Sequence, residues 1–220
     1  MSELRMIFDP EVWQIAGLSF RISLIATFVA ALLAVPAGLA VSAREFAGKR
    51  HLVTLMNTML SLPTVVIGLL VYSIVGRSGV LGGLGLLFTP TAVIIGQVIL
   101  ALPIITAMTY AAVDGVDRRV RATALTLGAG HWQADLAVLK EARTGILGAT
   151  AAGFGRVISE VGSVIMLGGN IRGYTRTITT AIALETSKGE FARSAVLAVI
   201  LLAVALAVNA VVHRALLKNK

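Results

Sequence analysis

Apolar residues run along this chain in five long blocks, at about 22–43, 52–75, 90–113, 146–169 and 191–212, separated by short polar stretches. A helix needs about 20 apolar residues to cross the hydrocarbon core of a bilayer. Each block is long enough, so the pattern predicts an all-α, polytopic membrane protein with about five transmembrane helices. The length leaves room for a single transmembrane domain over 1–220 and no second globular one. Residues 11–20 read as an interfacial lead-in, because Arg21 interrupts the apolar run there. Pro36, Pro63 and Pro103 sit inside the first three blocks and predict kinks, for packing or for gating. Asn57, Gln97 and Asn209 are lone polar residues at membrane depth, a pattern that favours bonds between helices over substrate contacts.

The fourth block is the least apolar and carries the chemistry. It holds Gly148, Gly153, Gly155, Gly162 and the pair Gly168-Gly169, together with Arg156 and Glu160. At helical period, Ala149, Ala152, Gly153, Arg156, Glu160 and Ser163 share one stripe, while Phe154, Ile158, Val161 and Ile165 share another. A charge at mid-bilayer costs about 3 kcal/mol on insertion scales. Arg156 and Glu160 are spaced to pair within the helix and offset part of that cost. The stripe then faces protein or water at the centre of a bundle. It borders a translocation path or its gate, or it is an ion pair that fixes packing; Ala149 and Gly153 also suit close helix approach at a dimer axis.

Composition agrees with lipid as the outer solvent: 57% of residues are hydrophobic and only 14% charged, with mean hydropathy +0.89. The formal charge of +8 suggests nucleic acid at first sight. Its placement in short connections argues instead for topology determinants and no nucleic-acid partner. Arg44, Lys49, Arg50, Arg118, Arg119, Arg121, Lys140, Arg143, Arg214, Lys218 and Lys220 fall on one side. Arg5, Arg21, Arg77, Arg172, Arg176, Lys188 and Arg193 fall on the other. The expected orientation is N-terminus outside and C-terminus in the cytoplasm. The start of the chain lacks a basic region and cleavage site, so no cleaved leader is expected. Cysteine is absent and His51, His131 and His213 are scattered, so neither disulfide, metal centre nor other cofactor is expected.

The connection at 114–145 is longer than a turn requires and reads as two amphipathic pieces around Gly128-Ala129-Gly130. It is suited to docking a partner beneath the membrane, or to lying in the interface alone. Thr126-Leu127-Gly128-Ala129, followed by Trp132, resembles the cytoplasmic signature loop of ABC-importer permeases. That pattern begins Glu-Ala-Ala with a glycine four residues on; here Ala122, Thr123, Ala124 and Gly128 occupy those places, without the acidic residue. The family's later leucine-proline pair is replaced by Leu139-Lys140-Glu141. Gly153-Phe154-Gly155-Arg156, Ser159-Glu160-Val161-Gly162, Gly168-Gly169-Asn170-Ile171-Arg172-Gly173 and Thr179-Thr180-Ala181-Ile182 follow in one register. With Leu62-Pro63-Thr64 in the second block, they are similar to the molybdate and tungstate permeases, nearest the tungstate branch.

This resemblance implies a type I ABC-importer permease fold in the bacterial or archaeal inner membrane. It implies a homodimer of permease copies, cytoplasmic ATPase subunits and an extracytoplasmic oxyanion-binding protein, all working in membrane lipid. Val120, Ala122, Thr123, Ala124, Leu125, Leu127, Gly128, Ala129 and Trp132 would dock the ATPase. Arg156, Ser159, Glu160, Ser163, Asn170, Arg172 and Thr177 would line the path or gate. The hydroxyls near Ser163 and Thr175–Thr180, with Arg172 and Arg176, would give an attractive outer vestibule, or the threonines would lie on an exposed helix. The chain has no G-x-x-x-x-G-K-[ST] run, so it is not expected to be an enzyme, and ATP would be hydrolysed by the partner. Alternatives are a permease for sulfate, an amino acid or another small solute. A channel would not need the 114–145 segment, and an intramembrane enzyme would need more ionisable groups at depth.

Overall fold

A computed structural model describes residues 8–43 and 45–217. Arg5, Arg44, Lys218 and Lys220, named above as topology determinants, lie outside the described residues, as do residues 1–7 of the leader reading and the side chain of His213.

Helix α1 runs over Pro10–Ala43. Asp9 accepts the Glu11 amide at 2.9 Å, and Pro10 sits in the first turn, where its missing N–H costs nothing. The expected lead-in at 11–20 is therefore part of one 34-residue helix. Arg21 does not interrupt it, because it points outward while Val12, Ile15, Ser19, Ile22, Ala26 and Ala30 form a buried stripe on the other face.

The second block is not one helix. It divides into α2, Lys49–Met59, and α3, Thr64–Val75, bent by 98°. Pro63 has no N–H to donate and pushes Leu62 out of helical geometry, so the break falls at the proline. A short 3-10 turn at Gly82–Leu84 leads to α4, Pro90–Asp114, which passes through Pro103 unbroken. Thr89 caps α4 by accepting the Ala92 amide.

The 114–145 connection is also resolved differently. Helix α5 spans Arg118–Thr126. It stops in a Schellman motif: Gly128 takes φ +88°, while the amides of Gly128 and Ala129 donate to Leu125 and Ala124. Helix α6 then runs from His131 to Ile158 without interruption. The second half of the connection and the first half of the fourth block are thus one 28-residue helix. The polar-to-apolar change along it marks a change of surroundings, not of secondary structure. The fourth block ends early and resumes as α7, Gly162–Gly168, bent by 62° from α6. Helix α8, Ile178–Ser187, and helix α9, Phe191–Leu217, complete the chain.

Among the described residues three helices are long and apolar enough to cross a membrane, or up to five spans if each bent pair counts as one. Helix α1 packs along α4, and α6 lies against both. The contact is lined by Ala30, Ala34, Ala101, Ile105 and Val157, small enough for close approach. A second cluster joins α3, α4 and α7 through Ile67, Val71, Val93, Leu100, Val164 and Leu167. A third joins α1, α8 and α9 through Val12, Ile15, Ile178, Ala181 and Leu197. Leu24, Phe28 and Leu32 of α1, Leu69 and Leu70 of α3, and Val199, Leu202 and Leu206 of α9 point outward. Lipid accommodates such a surface; water does not.

Candidate functional site

Three places along α6 and its continuation carry the chemistry. At the first, α5 buries none of its own residues. Leu127 is 82% exposed and Trp132 74%; Ala122, Thr123 and Gly128 are exposed beside them, while Val120, Ala124, Leu125 and Ala129 are half-buried. Arg121 Nε donates to Asp135 Oδ1 at 2.9 Å, fastening α5 to the first turns of α6. Two large apolar side chains thus stand exposed on a stapled helical corner, a surface that another protein or the membrane interface could cover.

The second place is the α6–α7 break. Glu160 lies in it, with its carboxylate only 3% exposed against 37% for the Arg156 side chain. Arg156 Nη1 donates to Glu160 Oε2 at 2.8 Å, and the Ser163 amide donates to Glu160 Oε1 at 3.1 Å. The pair expected within one helix therefore spans a break, and the stripe from Ala149 to Ser163 is not continuous: helical phase ends at Ile158. Neighbours satisfy the backbone that the break exposes. Gln97 Nε2 donates to the Val157 carbonyl at 3.1 Å, and Thr179 Oγ1 donates to the Glu160 carbonyl at 2.7 Å. Gln97 thus acts as interhelical glue, whereas Asn57 and Asn209 are exposed. Ser163 Oγ is buried without a hydrogen-bond partner among the described residues. Ser159, by contrast, is exposed and donates to the Gly155 carbonyl.

The third place is the return from α7 into α8. Thr175 Oγ1 donates to the Gly168 carbonyl and accepts the Ile171 amide. Thr177 caps α8, its hydroxyl lying 3.0 Å from that of Thr179. Asn170 donates to the Thr180 carbonyl at 3.4 Å. The threonines expected either as vestibule hydroxyls or on an exposed helix are instead buried and bonded within the fold. Ser19 of α1 accepts the Ile178 amide at 2.7 Å, a cap across 159 residues that no local pattern announces.

Arg156, Glu160, Ser163 and, through Thr179, Thr177 thus form one connected group, with Asn170 on its edge. Arg172 is elsewhere. Its Nε and Nη2 donate to both carboxylate oxygens of Glu11 at 2.7 Å. Arg193 Nη2 reaches the same carboxylate at 2.7 Å, and Arg176 Nη1 lies 3.7 Å from it. Glu11 was not singled out by sequence; its only signal is an acidic residue in a first helical turn, which predicts a cap, not a partner. No group of three or more His, Cys, Asp or Glu able to hold a metal occurs among the described residues.

Comparison with known proteins places this geometry. The family described as "Binding-protein-dependent transport system inner membrane component" matches residues 14–217. A "probable anion ABC transporter permease protein" of Haloferax volcanii is 43% identical, over 89% of this chain and 87% of its own. The tungstate uptake system permease protein TupB of Peptoclostridium acidaminophilum is 37% identical, over 96% of this chain and 92% of its own. The molybdenum transport system permease protein ModB of Escherichia coli K12 is 31% identical, over 84% and 85%. Among solved structures, a chain of the MetNI methionine ABC transporter in an inward-facing form superposes with TM-score 0.77 at 16% identity, covering 96% of this chain and 99% of that one. This chain is a member of the family of inner-membrane components of binding-protein-dependent transport systems, and shares the helical permease fold of ABC importers.

Proposed function

We propose that the chain is the permease subunit of an ATP-driven importer of tungstate or molybdate. It works as a homodimer, with N-terminus outside and C-terminus in the cytoplasm, served by cytoplasmic ATPase subunits and an extracytoplasmic oxyanion-binding protein. The observation that carries this reading is the continuity of α6. One helix, about 42 Å long at 1.5 Å per residue, begins at the exposed Trp132 corner and ends at the Glu160 break, with Arg156 in its last turn. A push delivered at one end arrives at the other.

Val120–Ala129 and Trp132 seat the ATPase, so closure of the ATPase pair displaces the α5–α6 corner. The break is where that displacement changes the path. Helix α7 is tethered to α6 through Glu160 and packs against α3 and α4, so tilting α6 re-aims α7. Arg156, Glu160, Ser163 and Thr177 border the moving part; the Ser163 hydroxyl is buried and unpaired in this conformation, and re-aiming α7 would open it to a passing oxyanion. The chain supplies no covalent chemistry, and hydrolysis belongs to the ATPase. Selection belongs mainly to the binding protein, because a path that gripped its ion tightly would not release it. The tungstate and molybdate assignment rests on the similarity to the tungstate and molybdenum permeases.

The test is uptake by the complex reconstituted with its ATPase and binding protein. Tungstate or molybdate is expected to enter only with ATP, and methionine not at all. Deleting 120–130 is expected to abolish co-purification of the ATPase and uptake together while membrane insertion persists. Uptake without ATP, or an ATPase that still co-purifies with the deleted protein, refutes the assignment.

A further inference from the structure

The Glu11 carboxylate at the outer end of α1 collects three arginines from two other segments: Arg172 and Arg176 from the α7–α8 connection and Arg193 from the first turn of α9. Asp9 is the second acid in reach, 3.5 Å from Arg193. Glu185 and its partner Lys188 lie near Arg193 as well, but Glu11 is the carboxylate that all three guanidinium groups approach, and the imbalance there is one of hydrogen bonds. Each guanidinium carries more N–H donors than one carboxylate has acceptor positions to share among three. Arg172 takes both oxygens, leaving Arg193 one shared oxygen beside a 3.5 Å bond to Asp9, and leaving Arg176 a 3.7 Å contact with Glu11 and a 3.5 Å bond from Nη2 to the Asn170 carbonyl. Arg176 Nε is buried with no partner. The carboxylate underfills the cluster.

A ligand with more oxygens and more charge would fill it better. We propose that Arg172, Arg176 and Arg193 form a binding site for a tetrahedral oxyanion at the outer face, held in this conformation by Glu11 as an internal substitute ligand. The ligand class follows from the oxyanion-importer reading, on which this inference rests. Glu11 is tethered to α1 and competes at an effective concentration of about millimolar. Free anion therefore binds weakly while Glu11 stays in place. Access is open from one side, since the Arg172 side chain is 71% exposed. Filling by an anion would release α1 from the α7–α8 connection and α9, the three segments that Glu11 now fastens together.

The experiment uses the permease–ATPase complex in nanodiscs of zwitterionic lipid, without ATP or binding protein. Tungstate, and sulfate as a second tetrahedral dianion, are titrated by equilibrium dialysis at low ionic strength. Glu11→Gln is expected to bind either anion at least about tenfold more tightly than the wild type, the gain expected from removing a tethered competitor. Adding Arg172→Gln and Arg193→Gln should abolish the gain. Wild-type complex, whose folding is not at issue, is labelled in parallel with an arginine-specific dicarbonyl. Tungstate should protect Arg172, and chloride at equal ionic strength should not. Equal affinities for wild type and Glu11→Gln, or no protection of Arg172, overturns the proposal and leaves the cluster a structural staple. Protection in anionic-lipid nanodiscs with no added oxyanion assigns the site to a headgroup and also overturns it. None of these readouts depends on turnover, so a complex that binds the anion but imports none refutes the transport reading alone.

Discussion

Arg156 and Glu160 are unequal partners, because the carboxylate is buried and the guanidinium is partly exposed. Removing the exposed member strands the buried one. Arg156→Ala is therefore expected to lower stability by about 2 kcal/mol, below the cost for a fully buried pair because Arg156 is partly solvated. Glu160→Gln is expected to lower it less, since the amide oxygen still accepts from Ser163. The double variant should recover much of the loss of Arg156→Ala. Thermal melting of the three purified proteins in detergent checks the order, and a double variant no better than Arg156→Ala would show that the pair is not the cause. Glu160→Gln should nonetheless impair uptake more than expression. The pair was legible in the sequence, because residues four apart in an apolar run leave few other ways to satisfy two charges. Its surroundings were not: the bonds from Gln97 and Thr179 reach carbonyls freed by a break that no proline marks.

Elements were legible as apolar blocks, but not always as single helices. Hydropathy averages over a window wider than the two breaks, so 52–75 and 146–169 each read as uninterrupted. Pro63 announced the first break, yet Pro36 and Pro103 sit in continuous helices, so proline alone does not decide. The 114–145 segment was legible as two amphipathic pieces around Gly128, but the merger of the second with the fourth block was not. What the breaks create is contact between short halves. A Cβ at Gly68 of α3 would lie 2.9 Å from Ser163 Cα and 3.2 Å from Met166 Sδ of α7. Backbone cannot yield as a flexible side chain does. Gly68→Ala is thus expected to destabilise the α3–α7 contact by about 1–3 kcal/mol and to reduce uptake. Gly148 of α6 has nothing within 4 Å of its would-be Cβ, so Gly148→Ala is the matched control and should be neutral or slightly stabilising. Parallel melting curves and uptake assays separate the two, and equal behaviour would remove close packing at Gly68 as a constraint.

At the level of the molecule, the outward-facing leucines and valines of α1, α3 and α9 fix the solvent as hydrocarbon, and composition alone had said as much. The long-range fastenings were invisible to sequence reasoning: Glu11 meets arginines more than 160 residues away. If the ATPase seats where we propose, helix α6, running from the α5–α6 corner to the break that hosts the buried ion pair, is built as a crankshaft, and a crankshaft has timing. Each residue advances an α-helix by about 100°. One alanine inserted within 137–145 leaves both ends chemically intact and rotates one against the other by that angle. Such a protein should still hold its ATPase on co-purification and still allow ATP to be consumed, while import stops: an engine turning over out of gear.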